Sequence, residues 1–217
     1  TGWEAWRTLI PSAEVPSELR QPTISLRLGS ARHAVHYPVS AGKEINLVLI
    51  RAAREARPGW SRDGDARDLT GIASGAPIAL RHLIEAAPGW QVWSLYDREP
   101  AAMAKGRIAL LGDAAHPVLP FLAQGAALAI EDAAVLAHEL ANGLQAGGAA
   151  SVPAAFTAYA TARQTRATRV QQASRDNARS YHLGRPWSFA RDLVLRRLGP
   201  EGLRQRYAWV YDWPLPG

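Results

Sequence analysis

KGRIALLGDAAHPVLPFLAQGAALAIEDAAVLAHEL, residues 105–140, carries the most specific pattern in the chain. Residues 107–111 form an apolar run opened by Gly106 and closed by Gly112, which predicts a buried strand ending in a tight turn. Asp113 then sits at the strand's carboxyl end, where the loops of open α/β sheets form ligand crevices. Pro117 and Pro120 mark a loop. From about Gln124 the period becomes helical. Ala127, Leu128, Ile130, Ala134, Val135 and Leu136 recur at three- and four-residue spacing, with Glu131 and Asp132 on the other side. Gly125 permits close backbone approach at the helix start, where unpaired N–H groups and the positive dipole end favour an electron-rich ligand. Pattern alone leaves two readings open. The acidic turn faces a polar, partly anionic ligand, or Asp113 caps the next turn and the Gly-Ala run is packing.

GDAAHP followed by LAQGAALAIEDAAVLA resembles the second flavin-binding motif of the FAD-dependent aromatic-ring monooxygenases, of the salicylate hydroxylase and para-hydroxybenzoate hydroxylase type. The resemblance implies that Gly112 and Asp113 are the motif's Gly-Asp, with the Asp hydrogen-bonded to the ribityl chain of FAD. It further implies that the loop after His116 and Pro117 lies beside the flavin ring, and that Gln124, Gly125 and Ala126 offer backbone N–H groups to it. Weaker similarity reaches residues 3–11, the HAVHYPV segment at 33–39 and the Tyr-Arg-rich helix after Pro153.

The 217 residues carry a net charge of +6, almost all of the positive charge being Arg, with Lys only at positions 43 and 105. A nucleic-acid binder is the sharp reading of that balance and would bind with steep salt dependence. The Arg residues are interleaved with Asp and Glu and form no dense run, so solvated faces explain them better and no nucleic-acid partner is expected. The absence of cysteine excludes disulfides, thiolate metal sites and Cys nucleophiles. No apolar run approaches a membrane span, and a cytoplasmic setting without membrane contact is the expectation. TGWEAWRTLIP reads like the inside of a strand, and no G-x-G-x-x-G occurs. The chain is therefore expected to begin within a longer protein whose N-terminal FAD-binding half is missing here.

Residues 3–51 read as β structure, with alternation over 23–28, 33–39 and 45–50 and turns at Gly29-Ser30 and Ala41-Gly42. On the strand HAVHYPV, His33, Val35 and Tyr37 share one face. An imidazole and a phenol on that face suit the proton of a phenolic substrate, since His titrates near neutrality and Tyr donates a hydrogen bond. Several family members carry a catalytic His and Tyr at this spacing, so His33 and Tyr37 are the catalytic candidates; half-exposed sheet residues are the plain alternative. Residues 54–68 read as a polar surface crossing, 65–72 and 77–86 as helices, and 90–96 as a strand. The following DREP resembles the family's Asp-Arg segment, which makes Arg98 a candidate flavin or substrate contact. A solvated Arg paired with Asp97 or Glu99 is the alternative.

The eight Trp residues are scattered in core-like patterns rather than grouped as a stacking platform. His138-Glu139 begins like HExxH, but position 142 is Asn, and no metal is expected. Residues 143–148 read as a Gly-rich linker. Pro153 then opens a long helix to about Tyr181, with Phe156, Tyr159, Ala160, Val170 and Ala173 inward and Arg163, Arg166, Arg169 and Arg175 toward solvent. Residues 187–209 form one or two amphipathic helices, and the terminal WPLPG reads as irregular.

The expected fold is α+β, of the α/β family. It combines a partial substrate-domain antiparallel sheet (1–100), the strand-loop-helix of a Rossmann-like FAD domain (101–145) and C-terminal helices (146–217). The resemblance implies an oxidoreductase that reduces FAD with NADH or NADPH, captures dioxygen as a flavin hydroperoxide and hydroxylates a small phenolic or benzoate-like ring. Val39, Val118, Leu119 and Phe121 are candidates for its apolar pocket. The alternative is a non-catalytic flavin half-site or assembly module that needs a separate nucleotide-binding chain or a second copy of itself.

Overall fold

A computed structural model describes residues 1–53 and 59–214. Residues 54–58 of the expected surface crossing, and the last three residues of the WPLPG tail, lie outside the described residues. The architecture is α+β, as expected, and the chain divides into two compact units. The first is a sheet unit, Thr1–Leu95 with Tyr181–Ser188; the second is a helical unit, Tyr96–Ser180 with Phe189–Gly217. The boundary expected near residue 145 falls inside the helical unit.

In the sheet unit, β1 (Trp3–Pro11), β2 (Ser25–Gly29), β3 (Arg32–Val39), β4 (Glu44–Ala52), β5 (Ser61–Gly64) and β6 (Trp90–Ser94) form an antiparallel sheet ordered β2-β3-β4-β1-β6-β5. The β2-β3-β4 meander matches the alternation in the sequence. The register pairs Trp6 with Leu49 and Ile10 with Ile45, which puts one apolar set on one face. That face packs on α2 (Ile78–Glu85) through Leu80, Leu83 and Ile84, with Leu69 before α1 (Thr70–Ser74) completing the core. β5 was expected to be part of a surface crossing. Its SRDG sequence has no strand pattern, and it joins the edge through main-chain pairing to β6. Gly64 makes this possible, because a Cβ there would lie 2.6 Å from the Trp6 ring and 2.7 Å from Val92. Glu4 is buried and accepts hydrogen bonds from Trp6 Nε1 (2.8 Å), Arg51 Nε (2.7 Å) and an Arg62 amino group (2.8 Å).

The helical unit opens with a hairpin of β7 (Ala104–Lys105) and β8 (Ile108–Ala109). The buried strand expected over 107–111 is corrected here. It is two residues long, pairs only with β7 among the described residues, and leaves Ile108 65% exposed. An apolar run signals a demand for burial but does not provide the surface that meets it. Leu110 and Ala109 do turn inward, onto Met103, Ala115, Val135 and Tyr159.

Three helices follow: α3 (Gly125–Gly147), α4 (Val152–Tyr181) and α5 (Trp187–Tyr211), the last broken at Gly199-Pro200. The linker expected at 143–148 is helical as far as Gly147. Gly143 is needed where α3 meets the next segment, since a Cβ there would lie 3.0 Å from Ala155 Cβ. Three polarity assignments are also reversed. Asp132, expected on the polar side of α3, is 0% exposed, and so is Arg163, expected toward solvent on α4; Arg166 is buried as well. Among the described residues no helix is long and apolar enough to cross a membrane.

Candidate functional site

The Gly-Asp motif forms a single 3-10 turn, Gly112–Ala114, between the β7–β8 hairpin and α3. Leu111 enters it extended and Gly112 adopts φ 55, a left-handed conformation that side-chain-bearing residues rarely take. A Cβ at Gly112 would also lie 3.2 Å from Ala129 Cβ, so the turn sits directly on α3. The N–H groups of Ala115 and His116 both donate to Gly112 O at 2.9 Å. Asp113 is left exposed, and among the described residues nothing donates to its carboxylate. Arg98 lies over the same turn. One of its amino groups donates to Asp113 O (3.2 Å) and Ala114 O (2.5 Å), so it binds the turn's carbonyls rather than Asp97 or Glu99 carboxylates. Asp97 pairs instead with Arg175 at 2.8 Å.

Pro117 is half-buried, and the loop after it is held by one polar stripe of α4. Gln171 donates to Pro117 O and Arg98 O (both 2.8 Å), Ser174 to Leu119 O (2.6 Å) and Asn177 to Phe121 O (3.2 Å). The loop ends at Ala123, itself left-handed with φ 53, and α3 begins with buried Gln124 as its N-terminal boundary residue. No side chain caps this helix, and a Cβ on Gly125 would meet nothing within 4 Å. Its first-turn N–H groups, including that of exposed Ala126, take no acceptor among the described residues. A carboxylate that takes no donor among the described residues, on a turn packed against a helix with no side-chain cap among them, fits a ligand that offers hydroxyl donors and electron-rich acceptors.

His116 is turned inward. Its Nε2 lies 2.6 Å from Asp132 Oδ2, and Oδ2 also accepts the Gly112 N–H at 2.9 Å. A carboxylate only accepts, so Nε2 carries the proton; the other ring nitrogen is buried without a partner among the described residues. Asp132 Oδ1 accepts from Arg163 Nε at 2.8 Å, Arg163 reaches Glu131 at 2.7 Å, and Glu131 holds Arg166 at 2.7 Å. Arg166 continues to the carbonyls of Trp209 and Val210, both at 2.9 Å. Burial raises the pKa of Asp132, but hydrogen bonds from His116, Gly112 and Arg163 outweigh it and hold the carboxyl below its ordinary range. Glu131 is lowered in the same way, with Arg166 and Arg163 outweighing burial.

Sequence reasoning missed this network, yet a signal was present. Tyr159, Arg163, Arg166 and Val170 follow the i, i+4, i+7, i+11 spacing of one helical stripe. If Tyr159 and Val170 pack inward, the two Arg residues between them must do so too.

His33 and Tyr37 belong to the other unit. They share a face of β3, with His33 across from Ile50 and Tyr37 across from Asn46. His33 is 4% exposed; its Nδ1 lies 2.8 Å from His182 Nε2, and its ring meets Tyr181 edge-on at 5.4 Å. His182 in turn stacks on Trp3 at 3.8 Å. Burial, with the neighbouring His182, pushes His33 down to about 3, so its ring is neutral at neutral pH. Tyr37 is half-buried. Asn46 and Leu9 lie in the same cross-strand row and line an open cavity of about 710 Å³, together with Arg7, Gln91 and Trp93. At the HExxH-like segment, His138 is half-buried and hydrogen-bonded to Asn142 at 2.9 Å.

Comparison with known proteins gives these sites a context. A family described as "FAD binding domain" matches residues 16–174. The chain is similar to 3-hydroxybenzoate 6-hydroxylase of Klebsiella oxytoca, 33% identical over 214 residues covering 98% of this chain and 53% of the relative. It is also 33% identical to salicylate hydroxylase of Pseudomonas putida over 196 residues, covering 87% and 44% of the two chains. A solved salicylate hydroxylase substrate complex superposes with a TM-score of 0.79 at 27% identity, over 99% of this chain and 55% of the other. HpxO of Klebsiella pneumoniae, solved with FAD and uric acid, shares the fold with a TM-score of 0.65 at 24% identity, over 88% of this chain and 47% of the other. The chain thus spans about half the length of the relatives it matches.

Proposed function

The chain belongs to the FAD binding domain family, and from that premise we propose that it is part of an FAD-dependent monooxygenase that hydroxylates a small phenolic or benzoate-like ring with NADH or NADPH and dioxygen. The observation that carries this reading is the Gly112–Ala114 turn, which packs on α3 at Ala129 and presents a carboxylate that takes no donor among the described residues, on a helix whose start no side chain caps among them. Asp113 would accept a ribityl hydroxyl of FAD, and the N–H groups of Gly125 and Ala126 would face the electron-rich edge of the ring system. Arg98 and Gln171 hold the turn and the following loop in place, which orients Asp113. Bound FAD supplies the redox chemistry, taking electrons from NAD(P)H and activating dioxygen for transfer of one oxygen atom to the ring.

His33 and Tyr37 are the residues proposed to orient the phenol. A neutral His33 would accept or donate a hydrogen bond, and the Tyr37 hydroxyl would give one that favours the ionised phenol. The relatives named for 3-hydroxybenzoate and salicylate support this substrate class. A second reading rests on the coverage of about half of each relative: the chain is a flavin half-site that is silent until joined to a nucleotide-binding chain.

The test is a flavin titration of the purified chain and its Asp113→Ala variant, followed by NAD(P)H oxidation in the presence of 3-hydroxybenzoate or salicylate. Binding that Asp113→Ala weakens, with aromatic-dependent oxidation, supports the enzyme. Binding without turnover, restored by an added nucleotide-binding half, supports the half-site. No flavin binding under either condition overturns both.

A further inference from the structure

The carboxylate of Asp132 joins the two ends of the turn that carries Asp113. Its Oδ2 takes both the Gly112 N–H (2.9 Å) and the His116 Nε2–H (2.6 Å), while Oδ1 takes Arg163 Nε (2.8 Å). Gly112 is buried, so without Asp132 its N–H would lose its acceptor. Arg163 is fixed in turn by Glu131, and its remaining amino group is buried without a partner among the described residues.

We propose that Asp132 is the positioning residue for Asp113: acting through Gly112 and His116, with Arg163 as its fixed partner, it sets where the Asp113 carboxylate meets the flavin ribityl chain. This rests on the reading of Asp113 as a flavin contact. Asp132 itself is fully buried, so its effect passes through the turn. A salt bridge that merely stabilises the helices would lower the melting temperature but would leave the contribution of Asp113 to flavin binding unchanged.

The experiment is a double-mutant cycle on the whole protein that contains this chain, reading FAD affinity by fluorescence, the visible circular dichroism of the bound flavin, and the melting temperature of the flavin-free form. The variants are Asp132→Asn, Asp113→Ala and the two together; Arg163→Lys disturbs the same pairing from the other side. Asp132→Asn keeps shape and an acceptor for Gly112 while removing the charge. It is expected to weaken FAD binding about tenfold, as displaced positioning groups do, and to alter the flavin dichroism. In the Asp113→Ala background the same change is expected to cost no further affinity. A full tenfold loss in that background, or unchanged affinity in the single variant, overturns the proposal. Unchanged affinity in Asp113→Ala alone overturns the flavin reading first, and the positioning role with it. If Asp132→Asn fails to fold, Arg163→Lys carries the same cycle with the same deciding outcomes.

Discussion

The sheet unit buries one charged pair, Glu4 with Arg51, at the edge of a broad apolar core and leaves the third partner, Arg62, 31% exposed, whereas the helical unit places Asp132 and Arg163 inside its core at 0%. In the first, cohesion comes from layers of Trp, Leu and Ile between a sheet and a short helix, an attraction without direction that tolerates repacking. In the second, small apolar clusters are stitched by hydrogen-bonded charges whose partners must sit at particular angles. The directional core is the one beneath the Gly-Asp turn. A site that must hold a ligand to fractions of an ångström rests on the part of the molecule that tolerates least displacement.

The largest break in this contrast is expected from Arg163→Ala, which leaves Asp132 buried and short of its cation, at a cost of about 3–5 kcal/mol. Hydrogen exchange read separately over each unit should show the loss in the helical unit. Leu83→Ala in the sheet core is expected to cost about 2–5 kcal/mol. The volume-conserving Leu83→Met should cost less than about 1.5 kcal/mol, whereas no conservative replacement of Arg163 is expected to be so mild. Denaturant midpoints of these variants decide whether the two cores differ in tolerance. Gly112→Ala should cost about 1–3 kcal/mol from the left-handed backbone, with a visible loss of FAD affinity in the same titration.

Acid should separate the units by pH window. His33 has a folded value of about 3 against an ordinary 6.5, so the unfolded chain binds the extra proton between them. Stability from the neutral ring is complete above 6.5 and declines as pH falls toward 3, and His36, lowered by burial and Arg27, adds in the same sense. Asp132 and Glu131 are held below their ordinary values, so their contribution is present above that range and is lost only as pH falls through the lowered folded values. The sheet unit is therefore expected to soften first on acidification, in segment-resolved exchange at stepped pH. Loss in the helical unit first would reverse the comparison. The smallest effect should come from the exposed Asp176–Arg179 pair at 3.0 Å, where Asp176→Ala is expected to change stability by about 0–0.5 kcal/mol.

Much of the sheet unit was legible beforehand. Alternation over residues 33–39 and 45–50 sets which side chains share a face, because a strand's period is two whatever surrounds it. The long helices were legible from their 3.6-residue period, though the break of the last one at Gly199-Pro200 came only with the structure. β5 was not, because SRDG joins the sheet through backbone pairing that leaves no trace in side-chain pattern. The burial of Arg163 and Asp132 was not, because polarity taken one residue at a time assigns a charge to water unless its partner is known.

By itself, then, the sequence determined the α+β class, the meander, the Gly-Asp turn and the helix that follows it, since each depends on local periodicity or on a residue type that alone accepts a given backbone conformation. Only the tertiary structure decided that His116 faces Asp132, that Arg98 binds the turn's carbonyls, and that two arginines of α4 are core. Those facts depend on which charges meet across 31 residues of chain, as Arg163 and Asp132 do, and a buried charge is stable only where its partner arrives with it.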